Sequence, residues 1–257
     1  PLDLRDIRQA LASEPPDYTA AMARYAFGGS FAWRDSFHSL AFFADDYQGR
    51  MTRVLPGVFA VYGHPAFAHH LVVSALMGTG ELQGRGNARA QPAAVRRAVV
   101  EGALLATILN WCRLELVEAS IRGPVNGNWS LANGSPKNWS ELFAFWWGPD
   151  GEHSLNAEMT RITERFALPA HPTRLLTAAL GPGQEALLVQ RWPAAEAEAV
   201  GRHLDLASLL LLLDRSADLA AAGSDPVAAA AVRGIWIAAV DPLARADEKG
   251  AADLDRM

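Results

Sequence analysis

The chain has a single cysteine, Cys112, in 257 residues. That count excludes an internal disulfide framework and a zinc–thiolate cluster. It has no basic surplus, since 23 Lys and Arg stand against 28 Asp and Glu, a formal charge of −5. A duplex nucleic-acid binder needs a dense basic face, so no nucleic-acid partner is expected. Long apolar runs are missing too. The longest is Ala207–Leu213, flanked by Asp205 and Asp214. It falls far short of the ~20 residues of a membrane span, and no span is expected. A run apolar on every side for two turns reads as the centre of a helical bundle. β-Branched residues are sparse and no stretch alternates with period two for long, which argues against an extended sheet. Half the residues are apolar and a fifth are charged, with mean hydropathy near zero. That composition belongs to a globular protein and excludes a disordered or collagen-like chain. The chain opens on Pro1 with no initiator Met, and is read as processed or trimmed, with any leader already removed.

What is present is helical periodicity. Val95, Val99, Gly102, Ala106, Leu109, Cys112 and Leu116 step by three and four through 91–120, one stripe of a long helix. Pro92 sits near its first turn and Gly123-Pro124 closes it. A second long helix is predicted over 193–222, and a third from Asp225-Pro226 through Val240 or beyond. Shorter helices are predicted over 17–27, 65–77, 138–147 and 158–166, with another over 46–62 kinked at Pro56. The expected fold class is all-α, a helical bundle forming one domain over 1–257. Its loop 123–136 offers a division into two packed halves, 1–122 and 137–257.

The glycines of 78–86 do not follow a strand and no Gly-Lys-Ser/Thr accompanies them. They read as a helix C-cap and tight turn, not a phosphate loop. Asn128, Asn133 and Asn138 each open a glycosylation sequon, read here as loop composition. A ferritin-type carboxylate bundle needs Glu-x-x-His, and none of the seven His stands three residues after a Glu. Glu115 and Glu118 do share one face of the long helix, with Glu101 about four turns earlier at a similar azimuth. Arg97 and Arg113 are candidate partners for this stripe. Glu115 lies between Leu114 and Leu116, and a buried carboxylate there calls for a cation. His69 and His70 sit near the start of a helix, pointing about 100° apart, so one ion does not easily meet both, and one is expected toward the core and one toward solvent. Cys112 reads as a small core residue. Trp139, Phe143, Trp146 and Trp147 crowd one side of a short helix. They form a core plug or, with Trp111 and His153, the wall of an aromatic pocket.

Two segments resemble a known family. They are Ser74-Ala75-Leu76-Met77-Gly78-Thr79-Gly80-Glu81-Leu82-Gln83-Gly84, followed by the helix over 97–119, and Ser135-Pro136-Lys137-Asn138-Trp139-Ser140-Glu141-Leu142-Phe143-Ala144-Phe145-Trp146-Trp147-Gly148. Both are similar to segments of the low-iron-inducible periplasmic, or iron-assimilation, proteins of green algae and marine bacteria. The turn Tyr25–Gly29 is also similar to a Tyr-Glu-x-Gly early in the family, and the likeness covers about a third of the chain, in the family's order. Met77 and Leu114 stand where the family pattern carries Asp and His. The resemblance implies a helical, exported protein, periplasmic or secreted, engaged in iron uptake. Two function classes are carried forward. The first is a binder of a divalent or ferric ion, iron favoured, with Glu115, Glu118, His69, His70 and Glu101 as candidate ligands. The second is an enzyme acting on an apolar or aromatic small molecule in a pocket of Trp111, Trp139, Phe143, Trp146 and His153, with Glu or His for acid–base work.

Overall fold

Proline and glycine punctuate the helices where the sequence puts them. A computed structural model describes residues 2–28, 31–33, 36–45, 50, 54–64, 66–82, 86–148, 151–169 and 171–246. It is all-α. In chain order the helices are α1 (Leu2–Ala12), α2 (Tyr18–Phe27), α3 (Leu40–Ala44), α4 (Pro56–Tyr62), α5 (Phe67–Met77), α6 (Ala93–Ser120), α7 (Ser135–Trp147), α8 (Leu155–Arg165), α9 (Pro172–Leu188), α10 (Ala194–Ala222) and α11 (Pro226–Ala246). A small antiparallel hairpin, β1 (Phe31–Trp33) and β2 (Ser36–His38), pairs Ala32 with Phe37 between α2 and α3. Strands this short carry too few residues for alternation to show. Pro56 opens α4 at its first turn and does not kink a longer helix. The rest of the helix expected over 46–62 falls largely outside the described residues.

The chain divides into two compact units. Unit 1 comprises Pro1–Thr107 with Leu212–Met257, and unit 2 is Ile108–Leu211. The division runs through α6 and α10, and the loop 123–136 lies inside unit 2.

In unit 1, α1 and α2 pack as an antiparallel pair. The Asp17 carboxylate caps α2 by accepting the Ala20 N–H at 2.8 Å. Arg24 on α2 pairs with the fully buried Asp3 at 2.9 Å and also with Asp6. Helix α5 packs on α2, α3 and α11. It ends at Gly78, whose φ of 65° is the left-handed cap that glycine favours. The Arg96 guanidinium donates to the Ala75 and Leu76 carbonyls at that end and lies over the Tyr18 ring, supplying positive charge where the helix dipole is negative. The buried Asp241 of α11 accepts the Gly57 N–H at the start of α4 and pairs with Arg245. Helices α6 and α11 cross with no room for a side chain. A Cβ on Gly102 would lie 2.8 Å from the Gly234 backbone, and one on Gly234 would lie 2.9 Å from the Val99 carbonyl oxygen.

In unit 2, α7, α8 and α9 pack against one another. The end of α6 relaxes into a π-turn, Ile121–Val125, at Gly123-Pro124. The Arg113 side chain is buried. It turns from the acidic stripe to Asn110, Ser208, the Leu204 carbonyl and Asp205. Helix α9 continues through Gly181-Pro182-Gly183, a sequence that reads as a turn.

Helix α11 is long and apolar enough to cross a membrane by length and composition, although no long uninterrupted apolar run marks it. Its apolar stretch is interrupted by Arg233 and Asp241, and 56% of its most apolar window is buried within the protein.

Gly102→Ala is expected to cost about 1–3 kcal/mol through overpacking, despite the better helix propensity of Ala. A urea unfolding midpoint equal to that of the parent would refute the close crossing.

Candidate functional site

The described residues bring the sequence-predicted groups together in two places, one in each unit. In unit 1 the site forms where α2 meets the first turn of α5. Tyr25 is fully buried on α2 and its Oη lies 2.9 Å from His69 Nδ1, with the two rings stacked. His69 is half-buried and His70 exposed, the core-and-solvent split expected of adjacent helical residues. The His70 ring stands edge-on to His64 at 4.8 Å and to His69 at 5.9 Å between centroids. His64, in the turn before α5, accepts the Ala66 N–H on Nδ1 at 3.0 Å.

Burial lowers the pKa of His69. Asp45 works against that effect, while positive charge on His70 and His64 reinforces it. His69 is therefore neutral near pH 7, the form that ligates metals. Burial, and then the Asp45 charge, pushes the Tyr25 phenol up, so it keeps its proton. Asp45 was not flagged by the sequence, and Tyr25 was marked only as the start of a turn. The pairing of α2 with α5 brings Tyr25 to His69 across 44 residues, and Asp45 acts on both.

In unit 2 the centre is Glu115 on α6, 5% exposed. The Asn138 amide of α7 donates to its carboxylate at 2.5 Å. Burial is the largest influence on Glu115 and raises its pKa to about 8. The Glu141 charge adds to the rise, while the Asn138 hydrogen bond, Lys137 and Arg122 oppose it. The Asn138 amide nitrogen is buried on Glu115, so the sequon at Asn138 is closed to a glycan. The other acidic candidates have cationic partners. Glu118 pairs with Arg122 at 3.4 Å, and Glu101, in unit 1, pairs with Arg97 at 3.6 Å. Among the described residues, no group of three or more His, Cys, Asp and Glu is placed to hold a metal ion.

The aromatic candidates separate within unit 2. Trp139 and Phe143 line one cleft with Leu180 of α9. Trp139 is buried except at this wall, and its indole N–H donates to the Leu180 carbonyl at 2.8 Å. Trp111 packs on Phe145 in the core, and Trp146 is fully enclosed. His153 lies in the bend before α8 and does not line the cleft. Cys112 is a buried core thiol whose pKa burial pushes up, which fits no nucleophilic role.

The Glu115 carboxyl binds a proton more tightly in the folded chain than at its ordinary value of 4.5. The folded state therefore holds more protons between about pH 4.5 and 8, and stability falls as pH rises through that window. Glu115→Gln is expected to flatten this dependence and to be the more stable form at pH 8. Chemical unfolding at pH 5 and pH 8 reads both, and parallel losses in parent and variant would count against it. Comparison with protein-family models, with curated proteins and with solved structures finds no match to this chain.

Proposed function

We propose that this is a metal-binding protein whose ion, a divalent transition metal or ferric iron, is held by His69 and His70. The observation that carries the reading is the Tyr25–His69 bond with two further imidazoles beside it. Ligating histidines are usually oriented by a hydrogen bond on the ring nitrogen that faces away from the metal. Ligation through Nε2 uses the His69 tautomer that carries its proton on Nδ1 and donates it to the Tyr25 oxygen. Two imidazoles on one ion have centroids roughly 4.5–6.5 Å apart at ordinary metal–nitrogen distances. Both ring separations at His70 fall in that range. His64 is the weaker donor. Its Nδ1 accepts the Ala66 amide proton, so the neutral ring carries its own proton on Nε2 and must lose that bond to ligate. Two nitrogen donors leave positions for water and suit Fe, Zn, Cu or Ni better than Mg or Ca. Binding alone is required, with no reaction. The role in iron acquisition, and the exported setting that goes with it, follow the likeness of the Gly78 turn and of 135–148 to iron-assimilation proteins.

Calorimetric titration with Fe, Mn, Zn and Cu tests this. The expected result is one saturable site. Affinity should fall at least tenfold in the His69→Ala/His70→Ala double variant, and roughly 10–100-fold in Tyr25→Phe, which removes the orienting bond. Affinity should also decline as pH falls and His69 protonates, and Glu115→Gln should bind as the parent does. No saturable binding, or a double variant equal to the parent, would overturn the proposal.

A further inference from the structure

The geometry of unit 2 points to a second ligand site, for an uncharged, flat aromatic molecule of one or two rings with a hydrogen-bond-accepting edge. The site is a cleft of about 300 Å³ between α7 and α9, at the small end of the range for ligand pockets. Trp139, Phe143 and Leu180 form its apolar wall, and Ser140, Thr177 and Gln184 its polar edge. No Lys or Arg lines it, so it is not built for a phosphate or carboxylate.

The sequence of α9 supplies the first argument. Gly181, Pro182 and Gly183 are all unfavourable inside a helix, yet α9 runs through them. Gly183 has a packing reason, since a Cβ there would overlap the Trp139 ring. Gly181 has none, because a Cβ there meets nothing within 4 Å. Gly181 itself lines the cleft, so the missing side chain leaves the cleft open. The second argument is polar. The Ser140 hydroxyl is directed at the Pro136 carbonyl at 3.0 Å and lies 3.5 Å from Gln184 Oε1. The Gln184 side chain makes no other hydrogen bond among the described residues, so its amide nitrogen offers two donors at the rim. The third concerns the walls. Phe143 is 40% exposed and stacks on the similarly exposed Trp147 at an interplanar angle of 11°, presenting an aromatic face to solvent at the cleft.

Calorimetry of the full chain with benzamide and quinoline as probes, and cyclohexanecarboxamide as the non-aromatic control, tests the site. For probes of this size saturable binding is expected at roughly millimolar Kd or tighter. The two aromatic probes should bind at least fivefold better than the control. Gly181→Leu fills the cleft from an open position. It should weaken benzamide at least tenfold in a chain that still unfolds cooperatively, the position before Pro182 setting some cost in melting temperature. Gln184→Leu should reduce the preference for benzamide over benzene. Metal affinity should be unchanged in both variants, which separates this site from the imidazole cluster. No saturable heat with either aromatic probe, equal binding of the cyclohexane control, or a folded Gly181→Leu variant that binds as the parent does would each overturn the assignment.

Discussion

Desolvation governs every charged or polar side chain that these helices enclose. A group taken out of water must find its partner inside the protein or give up its charge. Asp3 meets Arg24, Asp241 meets the Gly57 amide and Arg245, and Arg113 is met by Asn110, Ser208 and Asp205. The Asp3–Arg24, Asp241–Gly57 and Arg113–Ser208 pairings join segments distant in sequence, so those partners also select which helices may lie together. Glu115 follows the other course. It receives one amide proton from Asn138, and its charge becomes costly enough to retain a proton near neutrality.

The same principle separates the candidate ligands. Glu118 and Glu101 have guanidinium partners in Arg122 and Arg97. His69 is partly desolvated and neutral, and is oriented by a phenol that burial keeps protonated. The aromatic cluster divides by a related rule. Trp111 and Trp146 fill the core of unit 2, while Trp139 and Phe143 line a concavity. The indole of Trp139 meets its polar requirement at the Leu180 carbonyl and leaves its ring as a wall.

Much of the helical layout was legible. The three- and four-residue steps of 95–116 and the Pro and Gly residues at its ends place α6 to within two residues, and the same cues bound α10 and α11. The turn at 78–82 is the left-handed cap and tight loop that its glycines suggest. Leu82 donates to the Gly86 carbonyl and Ala88 to the Gly80 carbonyl; residues 83–85 lie outside those described. Leu114 and Leu116 marked Glu115 as a buried carboxylate. Helix α9 was not legible, because Gly-Pro-Gly is locally a turn sequence. Its helical state goes with the packing of α7, α8 and α9, in which Trp139 occupies the notch at Gly183. The hairpin at 31–38 was too short to show a period. Arg113 was assigned to the acidic stripe because sequence spacing describes one helix and carries no information about α10.

The sequence by itself determined the all-α class, the ends of the long helices and which residues could carry chemistry, because helix periodicity, proline and glycine act over a few neighbouring residues. Only the tertiary structure decided that Tyr25 orients His69, that Asn138 covers Glu115, and that Gly183 admits Trp139 while Gly181 leaves space beside it. Those relations depend on the approach of side chains separated by 23 to 44 residues. At that range burial and shape, which no local pattern encodes, choose the partner.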